Sequence, residues 1–81
     1  MDKRIGVVGI VVEDINNASK VNAILHDYAD IIVGRMGIPY RDRGVSIISI
    51  IVDGNMDEIS AMTGKLGKIS GISVKTALTK S

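Results

Sequence analysis

Two segments of this sequence are apolar on both of their alternating faces, and this pattern restricts the folds that the chain can adopt. In residues 4–12, one face carries Ile5, Val7 and Val11, and the other carries Val8, Ile10 and Val12. Residues 45–52 repeat the pattern with Val45, Ile47 and Ile51 against Ile48, Ile50 and Val52. A strand with two apolar faces is typical of the centre of a sheet that is covered on both sides. We therefore expect these segments to be the two central strands of one sheet.

Apolar residues at helical spacing predict a helix after each of these strands. The first helix follows a loop at residues 13–17 and ends near Ala29 or Asp30, with the apolar stripe Val21, Ile24, Leu25 and Tyr28. The second helix begins at Asn55, which has the spacing of a capping box with Glu58. Its apolar stripe is Ile59, Met62, Leu66 and Ile69. Either Gly67 or Gly71 can close this helix in a left-handed cap.

Two further strands complete the pattern. Residues 31–40 include Pro39, which cannot donate a ladder hydrogen bond and therefore favours an edge strand. Residues 41–44 form a polar turn of hairpin length, and residues 53–55 break the third strand. Residues 72–79 alternate apolar and polar side chains, as expected for a strand with one solvated face.

The resulting βαββαβ order predicts an α+β fold of the ferredoxin-like sandwich type, in a single domain over residues 1–81. Right-handed crossovers place both helices on one face of a four-stranded antiparallel sheet. The opposite face then exposes more apolar surface than a monomer usually does. We therefore expect a homo-oligomer, a dimer or a tetramer, that assembles through its sheet faces.

Composition argues against several classes of function. The 81 residues include no cysteine, and the net charge of +1 lacks the basic excess that favours binding to nucleic acid. Residues 43–50 have the outline of an RNA-recognition strand, but the stacking positions hold Val45, Ile47 and Ile50 instead of aromatic rings. No apolar run approaches the roughly 20 residues of a membrane helix. We expect a cytoplasmic protein with no cofactor, no direct nucleic-acid partner and no membrane partner.

Polar residues around the first helix and the second strand suggest a ligand site. If chains pair, three features would meet at one inter-subunit site. They are the amides at a helix N-terminus, a cation and the space left by glycines. The candidate residues are Asp14, Asn16 and Asn17 of one subunit with Gly34, Arg35 and Gly37 of a neighbour. Two simpler interpretations stay open. The loop could be merely solvated, and Arg35, Arg41 and Arg43 could either bind an anion or simply protect an exposed sheet edge.

Several short segments also resemble a known family over nearly the whole chain. They are residues 5–8, 26–32, 48–54 and 65–72. In these segments the chain resembles proteins described as regulators of the iron-only hydrogenase system. It is also similar to ACT domains and to the C-terminal regulatory half of nickel-responsive repressors. The resemblance implies a non-catalytic, ACT-like regulatory domain that binds a small effector, such as an amino acid, or a protein partner.

The resemblance to the nickel repressors does not extend to their metal site. The positions that match the repressors' two histidines and cysteine are Ile38, Tyr40 and Ser46, none of which is a good nickel ligand. The DNA-binding segment of those repressors has no counterpart here either. Two alternatives to an effector-binding regulator remain, namely a scaffold subunit without an effector and a small ferredoxin-like enzyme. The enzyme needs a base or nucleophile pair, and the sequence offers no convincing candidate.

The side chains at these three positions generate a prediction about metal affinity. Because Ile38, Tyr40 and Ser46 replace the ligating residue types, we expect no stoichiometric, tight binding of nickel or zinc. Isothermal titration of the purified, tag-free protein measures this directly. A submicromolar site for either metal would contradict the prediction.

Overall fold

The computed structural model describes residues 3–79 and contains one four-stranded antiparallel sheet with two helices. The strands are β1 (Lys3–Val12), β2 (Ile32–Tyr40), β3 (Val45–Asn55) and β4 (Ile72–Leu78), and the helices are α1 (Ala18–Asp27) and α2 (Met56–Gly67). The sheet order is β2-β3-β1-β4. The predicted ferredoxin-like, ACT-like topology is therefore confirmed, with β1 and β3 in the centre and the Pro39-containing strand at an edge. Residues 1, 2, 80 and 81 of the predicted domain lie outside the described residues.

The register between β1 and β3 decides which apolar face the helices cover. Val8 lies opposite Ile50 and Ile10 lies opposite Ile48, and all four side chains are buried. They belong to one core cluster with apolar residues of both helices, Val21, Leu25, Ile59, Met62 and Leu66. We call this side of the sheet the helix face. The sequence left the choice open because both faces of the central strands are apolar.

The opposite side of the sheet, which we call the open face, carries the other apolar set. Val7 lies opposite Ile51, and Val11 lies opposite Ile47. Val7 is 47% exposed and Ile51 is 46% exposed, although both sit on central strands. The exposed large apolar residues of this face are Ile5, Val7, Met36, Ile38, Tyr40, Ile47 and Ile51. Part of the apolar surface of this sheet is thus left in contact with water.

The ends of α1 and β3 differ from the predicted boundaries. Helix α1 ends at Asp27, earlier than expected, because a 3-10 turn at Ala29–Ile31 follows and carries Ile31 into the core. Strand β3 runs on to Asn55, so the predicted break at residues 53–55 is wrong. The reason is that the first residues of β1 pair with this segment, Lys3 with Asn55 and Ile5 with Asp53.

The predicted left-handed cap of α2 is also wrong. The helix includes Gly67 and is followed by Lys68 in a right-handed conformation, with φ −82° and ψ −12°. Gly71 does adopt a left-handed conformation, with φ 76°, but it does so just before β4 begins. A Cβ atom on Gly71 would also lie 2.7 Å from Cβ of Asp14. Glycine is therefore required here by the turn into β4 and not by the end of the helix.

The capping box at the start of α2 is confirmed. The Asn55 side-chain oxygen accepts a hydrogen bond from the Glu58 backbone amide at 2.8 Å, and the Glu58 carboxylate accepts one from the Asn55 backbone amide at 3.1 Å. The two reciprocal bonds satisfy backbone donors that the helix itself leaves without partners. They hold the start of α2 directly at the end of a central strand.

This reciprocal arrangement predicts the cost of removing the cap. Asn55→Ala should lower the free energy of unfolding by about 1 kcal/mol, because the Glu58 amide loses its acceptor. Urea denaturation at a fixed protein concentration measures the change. Ser60→Ala, an exposed substitution in the same helix, is the matched control and should change stability by less than about 0.5 kcal/mol. Equal effects of the two substitutions would contradict a specific capping role.

Candidate functional site

The loop before α1 is held by its own polar side chains. The Asp14 carboxylate accepts a hydrogen bond from the Asn16 backbone amide at 3.1 Å, and the Asn17 side-chain amide donates to the Ser70 carbonyl at 2.8 Å. The Glu13 backbone amide donates to the Gly71 carbonyl at 2.8 Å. The bonds to Ser70 and Gly71 fasten the loop to the segment that enters β4. Asp14 and Asn17 therefore have structural roles, whereas Asn16 is exposed on the surface of the loop.

A 3-10 turn at Ile15–Asn17 precedes α1 and engages its first amides. The Asn17 backbone amide donates to the Asp14 carbonyl at 3.0 Å, and the Ala18 amide donates to the Ile15 carbonyl. Asn17, in the N-cap position of α1, makes no side-chain capping bond. The sequence argument expected free amides at this end of the helix. The 3-10 turn uses some of those donors within the loop.

The three candidate residues on β2 do not share one face of the sheet. Arg35 lies opposite Ile50 and Gly37 opposite Ile48, so both belong to the helix face. Gly34 lies opposite Ile51 and belongs to the open face. On the open face, Gly34 borders a shallow groove of about 200 Å³ together with Met36, Ser49 and Ile51, and Arg35, next to Gly34 in the chain, also contributes to its lining.

Arg35 contacts α1 of its own chain. Its guanidinium Nη2 donates to the side-chain oxygen of Asn22 at 2.9 Å. The hydrogen bonds of the loop at residues 13–17 run instead to Ser70 and Gly71, beside β4. Strands β2 and β4 form opposite edges of the sheet. Within one chain, the two halves of the candidate site thus have different partners, and their convergence across subunits stays a prediction.

An open depression of about 330 Å³ lies between α1 and β2. Its lining residues are Asn22, Leu25, His26, Ala29, Ile32 and Arg35. His26 is exposed and also borders this depression. The sequence argument missed Asn22 because exposed polar residues of a helix look alike. Four-residue spacing from Asn22 to His26 is the signal that could have placed both on one side of α1.

Near the end of α1, Tyr28 connects the two helices. Lys65 Nζ of α2 lies 5.1 Å from the centre of the Tyr28 ring. A hydrogen bond with the Tyr28 side chain raises the pKa of Lys65. The contact links the residue that follows α1 to α2, and it involves none of the residues that line the depression.

Two further observations concern the part of the chain that the structure describes. Residues 3–79 bring together no group of three or more His, Cys, Asp or Glu side chains that could hold a metal ion. Over the same residues, neither helix has the length and apolar character needed to cross a membrane.

Comparison with solved structures shows two kinds of similarity. The uncharacterized protein TM1266 from Thermotoga maritima is 41% identical, with a TM-score of 0.91, and the alignment covers 98% of this chain and 100% of that one. The ACT domain from GTP pyrophosphokinase of Chlorobium tepidum is 19% identical, with a TM-score of 0.78 and coverage of 94% and 100%. At that identity the second match shows the fold alone.

A more distant similarity is to the nitrogen regulatory PII-like protein CPII from Thiomonas intermedia, in a structure bound to ADP, AMP and acetate. It is 10% identical, with a TM-score of 0.51, and the alignment covers 100% of this chain and 94% of that one. No curated protein matches the sequence.

A match to a family model shows the family to which the chain belongs. That model matches residues 4–76, from the start of β1 into β4, and describes a TM1266-like group. The match spans both helices and all four strands, and it agrees with the similarity to the Thermotoga protein. The chain therefore belongs to the TM1266-like family, whose members are provisionally described as iron-only hydrogenase system regulators.

Proposed function

We propose that residues 1–81 form one non-catalytic regulatory domain that acts as a homo-oligomer in the cytoplasm. In this proposal the oligomer binds a small effector, such as an amino acid, or a protein partner, and regulates an iron-only hydrogenase system in response. The observation that carries the proposal is the exposed apolar open face of the sheet. The regulator description of the family and the ACT-like fold support it.

A second copy of the chain is the occupant that we propose for the open face. All four strands contribute to this face, and its large exposed apolar residues lie on three of them, β1, β2 and β3. Removing the remaining exposed surface of half-exposed residues such as Val7, Ile47 and Ile51 would contribute about 1 kcal/mol each. Pairing two copies doubles this gain. The total is comparable to the stability expected of a small domain, about 5 kcal/mol or more.

Oligomerisation would also provide the means of regulation. A ligand that touches two subunits binds one arrangement of the subunits more tightly than another, and it shifts the population toward that arrangement. We propose that such a ligand lies between Asp14, Asn16 and Asn17 of one subunit and Gly34, Arg35 and Gly37 of its neighbour. The exposed side chain of Asn16 and the cation of Arg35 support this choice.

The two faces of β3 generate a paired prediction about assembly. Ile47 is 41% exposed on the open face, whereas Ile48 is 6% exposed in the core. Ile47→Asp should dissociate the oligomer and leave a folded or aggregation-prone monomer, because it puts a charge into the interface. Ile48→Asp should unfold the chain, because it buries the same charge in the core. Sedimentation equilibrium and circular dichroism distinguish the two outcomes.

The wild type and a conservative variant are the controls for this pair. Ile47→Val keeps the face apolar and should keep the oligomer. In the wild type, the melting temperature should rise with protein concentration, because folding and association are coupled. A well-folded wild-type monomer at micromolar concentration would contradict the proposed assembly.

The inter-subunit ligand site generates a second prediction. A thermal-shift screen of amino acids and nucleotides should yield a ligand that stabilises the wild type by about 2.7 kcal/mol at 100 times its Kd. Asn16→Ala should remove most of that stabilisation, because this side chain makes no hydrogen bond within residues 3–79 and is free to contact a ligand. Ser19→Ala, an exposed neighbour, is the control and should bind like the wild type. A screen with no stabilising ligand would favour the scaffold alternative.

A further inference from the structure

We propose that the depression between α1 and β2 binds a small aliphatic carboxylate within a single chain. Arg35 and His26 would hold the carboxylate group, and Leu25, Ala29 and Ile32 would contact the carbon chain. The inference rests on the proposed effector-binding role. It goes further by naming a ligand class and a site that is complete in one subunit.

Arg35 is positioned for this role by Asn22. The side-chain oxygen of Asn22 accepts one hydrogen bond from the guanidinium, at 2.9 Å, and this bond holds the side chain across the depression. Among residues 3–79, Asn22 is the one hydrogen-bond partner of this guanidinium. A guanidinium has five N–H donors in a planar fork, and two parallel donors match the two oxygens of a carboxylate. The remaining donors can therefore bind a ligand.

An irregularity in β2 brings Arg35 and Ile32 to the same side of the sheet. Residues three apart in a regular strand point to opposite faces. Here Ile32 lies opposite Val52 while Gly34 lies opposite Ile51, so one extra residue is inserted between them. Ile32 and Arg35 consequently both border the depression. The bulge thus places an apolar side chain beside a cation, which suits a ligand with a carbon chain and a charged end.

The charge and size of the depression define the ligand class. No acidic side chain is among the six lining residues, whereas Arg35 and His26 are basic. Leu25 is 2% exposed and provides an apolar floor with Ala29 and Ile32. The volume of about 330 Å³ is at the lower end of the range for ligand pockets, which is roughly 300–1,000 Å³. A short, branched carboxylate fits these features better than a bare inorganic anion.

The experiment is a titration of the wild-type protein with isobutyrate, monitored by two-dimensional ¹H–¹⁵N NMR. We expect saturable shifts of the His26 amide and the Arg35 Nε signal. Inorganic phosphate, the second probe, should bind more weakly because it gains nothing from the apolar floor. Arg35→Gln should weaken isobutyrate binding about tenfold or more, and Arg35→Lys, which keeps the charge but loses the fork, should give an intermediate loss. The spectra also show whether each variant is folded.

Arg43→Gln, at the hairpin turn, is the matched control and should bind isobutyrate like the wild type. Each of three results would overturn the inference: absence of saturable shifts, equal losses from Arg43→Gln and Arg35→Gln, or tighter binding of phosphate than of isobutyrate.

Asn16→Ala distinguishes this intrachain site from the inter-subunit ligand site. If it abolishes isobutyrate binding, the ligand lies between subunits, so this inference fails and the proposed function stands. If it leaves isobutyrate binding intact, the intrachain site is supported.

Discussion

The antiparallel pairing of β1 with β3 is the interaction on which the rest of the structure depends. Both strands are apolar on both faces, so simple alternation does not specify their register. The few polar residues do so instead. In the observed register Asp53 lies opposite Ile5 on the open face, and Ser49 lies opposite Gly9. A slip of β3 by one residue would bury the Asp53 carboxylate beneath the helices at a large cost.

Much of the fold follows from the sequence because its signals are local. Alternation, helical spacing, the capping box and Pro39 predicted the element order, the central pair and the edge strand. The covered face could not be predicted, because Val7 and Val8 are equally apolar and only the packing of the helices distinguishes them. The ends of α1 and β3 were also missed. They depend on Ile31 reaching the core and on pairing with the first residues of β1, which are contacts distant in sequence.

The candidate site was predictable only in part, for a related reason. Its residue types were recognisable, but their partners depend on geometry between elements. Asp14 and Asn17 are used by the loop itself, and Arg35 turns to Asn22 because its pairing opposite Ile50 places it on the helix face. Assembly and the intrachain ligand site use different surfaces of one sheet. Assembly uses the open face, and the depression lies on the helix face beside α1, so both can operate in one molecule.

The inserted residue in β2 has a consequence for comparing members of this family. Pairing with β3 in the hairpin sets the side of the sheet that each residue from Gly34 onward faces, and packing against the core sets the side that Ile32 faces. The extra residue at position 33 allows both arrangements in one strand. Val33 is 68% exposed, so the type of residue at position 33 affects the depression less than the presence of an inserted residue there. A relative with a one-residue gap at this position would have to turn either its counterpart of Ile32 or its counterpart of Arg35 to the other side. Chain length here, rather than the retention of an arginine, should therefore separate relatives that keep the depression from those that have lost it.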